Sequence, residues 1–194
     1  MKSRLAGAFV LLALFTSACN SSMKKPDIKH NPNPKMGYEI TLIIDDAPGP
    51  FESVTGLMQY EVANERCAPE HPISGSRHPP LAPVPFSLTR VGDNTYTGTL
   101  YLDLLLSEDY FGLGMCHWTM KYASIGMRAG GVKFSAGIPG EKISAQASEL
   151  TYFPKDIYGR DGDIATGGTP RSRWITDDTS KFFTATMSAK EIFE

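Results

Sequence analysis

Hydrophobic and polar residues alternate with a period of two over much of this chain, the pattern of strands with one face in a core. The clearest run starts at Met115. Cys116, Trp118, Met120 and Tyr122 fall on one face, and Met115, His117, Thr119 and Lys121 on the other, so a strand is expected from Met115 to about Arg128 with Cys116 turned inward. Tyr38, Ile40, Leu42 and Ile44 alternate with Glu39, Thr41, Ile43 and Asp45; Met58, Tyr60 and Val62 alternate with Leu57, Gln59 and Glu61 in a strand that runs up to Cys67. Phe86 and Leu88 share a face, and Val91-Gly92-Asp93-Asn94 joins them in a hairpin to the alternation of Tyr96, Gly98, Leu100, Leu102 and Leu104. Ala129-Gly130-Gly131 reads as a turn before Val132, Phe134 and Ala136. Between 143 and 153 propensity allows a helix, but the spacing of Ile143, Ala145 and Ala147 and the closing Thr-Tyr-Phe favour a strand. Lys181 to Ser188 returns as a last strand.

The breaks between these runs are equally informative. Asp46-Ala47-Pro48-Gly49-Pro50 is a turn, and Glu108 to Gly114 a loop shaped by Gly112 and Gly114. Ala68 to Pro85 carries prolines at 69, 72, 79, 80, 83 and 85, which predicts a long stiff excursion without regular pairing. Such loops are often contact surfaces. Residues 154–178 are expected to be mostly loop. Seven or eight short strands with almost no helical periodicity predict an all-β fold, an antiparallel β-sandwich. Cys116 and Trp118 on one face make it loosely immunoglobulin-like, although the Cys and Trp spacing differs from that family's.

The first residues change the picture of where the protein works. Lys2 and Arg4 precede an apolar run from Leu5 to Phe15, then Thr16-Ser17-Ala18 and Cys19, the form of a signal peptide over 1–18. The run is shorter than the roughly 20 residues a membrane span needs. A cysteine after small residues resembles the lipobox of bacterial lipoproteins, with Cys19 as the acylated first residue; Thr16 stands where that family usually has Leu, and ordinary cleavage with a spare cysteine is the alternative. Asn20, rather than Asp, points to the outer membrane, on its periplasmic side. Residues 19–35, polar with prolines at 26, 32 and 34, are expected to be an extended tether, and 36–194 the folded domain.

With Cys19 assigned to lipid, Cys67 and Cys116 remain as a pair in an oxidising compartment and are expected to form a disulfide, two buried free thiols being the alternative. The mature chain of about 175 residues suits one domain. Without Lys2 and Arg4 it holds 17 basic against 21 acidic residues, a mild acidity with no charge block that would invite nucleic acid.

No catalytic motif is present in the segment expected to fold: there is no Gly-x-Ser-x-Gly or His-Glu-x-x-His, and the Ser-x-x-Lys spacing occurs at 21–24 and 22–25, both in the tether, so the chain is not expected to be an enzyme. His71, His78 and Glu70 could form a zinc site, but no spacing supports it over surface histidines. Asp156, Asp161 and Asp163 lack the oxygen-ligand spacing of a calcium loop. Asp45-Asp46 fits a turn better than an acid/base pair. No metal and no cofactor is expected. The candidate partner contacts are Tyr110 and Phe111, aromatics on a glycine-braced loop, together with His71 and His78 of the Pro-rich loop.

Asp-Ala-Pro-Gly-Pro-Phe at 46–51, the run Tyr60 to Cys67, and Asp-Tyr-Phe-Gly-Leu-Gly-Met-Cys-His-Trp at 109–118 resemble small uncharacterised lipoproteins of Gram-negative bacteria, some encoded beside antibacterial effectors of type VI secretion systems. The resemblance implies a periplasmic immunity protein that occludes a cognate effector, such as a lipase. It carries no catalytic residue across. A structural lipoprotein of the envelope or of a secretion apparatus is the other expectation.

Overall fold

The computed structural model describes residues 26–170 and 178–192. The strands are β1 (Gly37–Asp45), β2 (Ser53–Val62), β3 (Leu81–Phe86), β4 (Thr89–Arg90), β5 (Thr95–Tyr101), β6 (Trp118–Ala129), β7 (Val132–Pro139), β8 (Ser148–Pro154), β9 (Ile164–Thr166) and β10 (Phe182–Ile192); a single-turn helix, α1 (Gly140–Ser144), follows β7. They form two packed five-stranded sheets, ordered β4-β5-β1-β10-β8 and β3-β2-β6-β7-β9. Among the described residues every strand pairing is antiparallel except β7 with β9, which is parallel. The fold is thus the expected all-β sandwich with one disulfide, and the parallel edge is an addition that the short Ile164–Thr166 segment did not announce.

The alternation seen in the sequence fills the interior. Ile40, Leu42 and Leu100 from one sheet meet Ile125, Met127, Phe134 and Ile138 from the other, all completely buried. One end is closed by aromatic rings. Phe134 lies 5.1 Å from Phe183 and 5.5 Å from Phe153, both edge-on, and Phe51, delivered by the 46–51 turn, meets Phe134 and Tyr158 edge-on. Such pairs add about 0.5–1.5 kcal/mol each beyond the area they bury. At the opposite end lies the Cys67–Cys116 disulfide, whose Cα atoms are 5.3 Å apart. It joins the chain just beyond β2 to the chain just before β6, two neighbours in one sheet. The immunoglobulin disulfide instead crosses between sheets.

Four expectations need correction. β6 carries an irregularity: Gln59 pairs with Tyr122 but Tyr60 with Met120, leaving Lys121 unpaired. One extra residue reverses the side-chain alternation, so Tyr122 is exposed while Ala123, Ile125, Met127 and Ala129 take the core. Second, the Pro-rich excursion ends at residue 80. Leu81–Phe86 is a strand despite Pro83 and Pro85, because β3 is the sheet's edge and pairs only with β2; prolines fit where their missing N–H faces away from the partner. Third, 143–153 is neither one strand nor one helix. Ile143 packs in the core from α1, and β8 begins at Ser148. Fourth, the tether is not free along its whole length.

Residues 28–36 lie against the stretch that leaves β5. The Leu106 N–H donates to the Lys29 carbonyl (2.9 Å) and the Asn31 N–H to the Leu104 carbonyl (2.7 Å). The Asp103 carboxylate accepts the N–H groups of Lys35 (2.8 Å) and Met36 (3.0 Å). Lys29 pairs with Glu108 at 2.9 Å, and Ile28 packs on the core. No helix among the described residues is long and apolar enough to cross a membrane.

Candidate binding surface at the disulfide end

The disulfide draws two loops together, 68–80 after β2 and 107–117 before β6. Cys67, Cys116 and Val62 are buried as a small cluster separate from the main core, with Tyr110, Phe111 and Trp118 packed against it. Backbone pairing tightens the junction: the Cys116 N–H donates to the Glu108 carbonyl (2.9 Å), and the Ala63 N–H to the His117 carbonyl (2.8 Å). Asn64 fastens the second loop on both sides. Its Nδ2 donates to the Met115 carbonyl (2.6 Å), and its Oδ1 accepts the His117 N–H (2.7 Å).

Each loop is also ordered from within. In 107–117 the Asp109 carboxylate accepts the Leu113 N–H (3.0 Å), a turn that Gly112 (φ 73°) and Gly114 (φ 107°) complete in conformations few other residues adopt. In 68–80 the guanidinium of Arg77 donates to Glu70 (2.7 Å) and to the carbonyls of Arg66 and Ala68. His71 Nδ1 faces the N–H groups of Ile73 and Ser74 (3.4 Å each), and His78 Nε2 lies 3.0 Å from the Ser76 hydroxyl.

The residues singled out in the sequence fall differently from expectation. Cys67 and Cys116 are bonded as expected. Tyr110 and Phe111 do not project; they cover the disulfide, and the Tyr110 hydroxyl donates to the Leu106 carbonyl (2.6 Å) while its ring meets Trp118 edge-on. The loop folds back because its Cys116 end is bonded inward and the rings bury more area on the sulfurs than in water. His71 and His78 sit in the Pro-rich loop as expected, where they organise their own turn. Among the described residues no three His, Cys, Asp or Glu side chains gather as a metal site. Cys19 lies outside the described residues.

What reaches solvent is a set of aliphatic side chains. Ile73 at the tip of the first loop is 92% exposed, and Leu113 and Met115 on the second are about half exposed. The alternation around Cys116 already placed Met115 outward; nothing in the sequence distinguished Ile73 or Leu113.

Beside the disulfide, between the ends of the two sheets, opens a cleft of about 480 Å³ lined by Met36, Asp103, Trp118, Met120 and Glu141 among others. Trp118 divides the two features, with the disulfide cluster on one flank and the cleft on the other. Its Nε1 is the buried side-chain nitrogen that finds no hydrogen-bond partner among the described residues.

No protein-family profile matches the chain, and no curated protein or solved structure matches it either.

Proposed function

We propose that this chain is a lipid-anchored periplasmic binding protein that neutralises an antibacterial secreted effector by occluding it, a lipase that attacks the cell's own membrane being the effector class that suits an anchored inhibitor. The observation that carries the reading is the Cys67–Cys116 bond, which holds two internally ordered loops as one unit with Ile73, Leu113 and Met115 in water. A surface ordered before it meets its partner loses little conformational freedom on binding. Aliphatic side chains left largely or half in water by the monomer are available to a partner.

The test is affinity for the effector encoded beside the gene. Replacing Ile73 and Leu113 together by Asp should weaken binding at least about thirtyfold, the equivalent of roughly 2 kcal/mol, with the fold retained because Ile73 is almost wholly and Leu113 about half exposed. Unchanged affinity would move the contact off these loops. An intact protein that binds no encoded neighbour would leave the structural envelope lipoprotein as the better reading.

A further inference from the structure

We infer that the cleft beside Trp118 receives a cationic side chain, an arginine or lysine, presented by a protein partner; the inference rests on the binding-protein reading and gives that partner a chemistry. The cleft has carboxylates from both halves of the sandwich. Asp103 enters from the stretch that follows β5, and Glu141 from α1, which follows β7 in the other sheet. Among the described residues no lysine, arginine or histidine lines it.

Among the described residues neither carboxylate is neutralised from within. Lys29 is engaged with Glu108, Lys121 with Glu61 and Lys142 with Glu149, Lys35 meets Asp103 through its backbone N–H and does not line the cleft, and neither Asp103 nor Glu141 joins an ion pair among the described residues. Asp103 is also held in place, since its two oxygens accept the backbone N–H groups of Lys35 and Met36. A carboxylate fixed in this way meets an incoming cation without first having to be ordered.

The remaining walls select among cations. Trp118 offers an indole, the side chain to which cations bind most strongly through the ring face, and the Ser107 and Thr119 hydroxyls can accept the outer N–H groups of a guanidinium. Met36 and Met120 give the aliphatic stem of the same side chain an apolar wall. An anionic or wholly apolar group would meet two carboxylates without a countercharge. Arginine suits the combination best, because its planar head can stack and donate at once.

The experiment needs no effector. The purified full chain is titrated with the peptide Ac-Ala-Arg-Ala-NH2, following the indole N–H resonance of Trp118, assigned through Trp118→Phe. A saturable shift is expected, absent with Ac-Ala-Glu-Ala-NH2, weakened by raising salt from about 0.05 M to about 0.3 M, and about fivefold weaker in Glu141→Gln, the scale of one partly solvated ion pair. Glu141 is exposed and makes no side-chain hydrogen bond among the described residues, so the variant keeps the fold. No shift with the arginine peptide, an equal shift with the glutamate peptide, or a midpoint indifferent to Glu141→Gln would each overturn the inference. Effector binding that persists while the peptide fails would sink the cleft alone, whereas peptide binding without any effector would sink the partner reading alone.

Discussion

The Tyr60 hydroxyl donates to the Tyr101 carbonyl, a hydrogen bond from β2 to β5 that ties one sheet to the other through the interior. Tyr60 is fully buried, and burial, reinforced by the nearby Asp103 carboxylate, pushes its hydroxyl well above the ordinary tyrosine range. A folded-state value above the unfolded one favours the protonated form in the native protein, so this contribution is intact below about pH 10 and is lost as pH rises beyond it. Tyr60→Phe should cost about 1 kcal/mol at neutral pH, the usual net value of one such bond. It should also flatten the alkaline side of the stability profile. Denaturant melts between neutral and strongly alkaline pH check both; an unchanged alkaline slope would mean that other groups govern it.

The disulfide closes a separation of 49 residues. Chain-entropy reasoning assigns such a loop about 4 kcal/mol, and removing a native disulfide typically costs about 2–5 kcal/mol. Cys116→Ala should lower stability within that range. Denatured wild-type protein should take up no alkylating agent at residues 67 and 116 until a reductant is added. Mass spectrometry of the alkylated protein decides the matter.

Tyr110→Ala should act through stability. The ring lies on the disulfide cluster and against Trp118, 6.2 Å between centroids, so its loss should cost on the order of 2–4 kcal/mol and speed hydrogen exchange in 107–117. Effector affinity, measured where the variant is still folded, should fall less than for the Ile73 and Leu113 pair. The opposite ranking would restore the aromatic loop as the contact.

β3 exposes an edge on which Pro83 and Pro85 supply no N–H. Unpaired strand edges invite pairing with other chains, and proline is one of the devices that block it. Pro83→Thr with Pro85→Thr should leave the monomer folded and raise its tendency to associate. Sedimentation velocity over a concentration series would show it; a strictly monomeric variant would rule out the blocking role.

Cys19→Ala should move the protein from membranes into the soluble periplasmic fraction, because two acyl chains hold a protein that one chain binds only marginally. A variant that still pellets with membranes would exclude lipid anchoring through Cys19.

The strands were legible because alternation is a local signal and the sandwich reads it directly: Tyr38 to Asp45, Met58 to Val62 and Val132 to Ala136 all lie where the pattern puts them. The misreadings share a cause in pairing. Whether Pro83 can sit in a strand depends on which side of β3 has a neighbour, and which face Tyr122 takes depends on the unpaired Lys121 beside it. The apolar spacing from Met120 to Ala123, three residues where a regular strand needs two, was the one local trace of that irregularity. At the surface the limits were greater. Asp103 looks like any acidic residue until the chain from 28 to 36 comes to lie on it, and Glu141 becomes part of the cleft only because α1 sits at the end of β6. There the ideal Cβ of any other residue at Gly140 would fall 2.1 Å from the Met120 carbonyl oxygen.

The docked segment sets how far the domain can stray. Going backward along the chain, contacts advance from Asn31 at Leu104 to Lys29 at Leu106 and Glu108, so the polypeptide departs toward the loop that carries Cys116. Ile28 is nine residues from Cys19, a reach of about 30 Å at full extension. With Cys19 acylated, the protein becomes a short-radius mooring rather than a float on a long line. On the proposed anchoring the disulfide loops would ride near the bilayer, and the proposed effector would be met in the thin layer of water where a lipid-degrading enzyme must itself land.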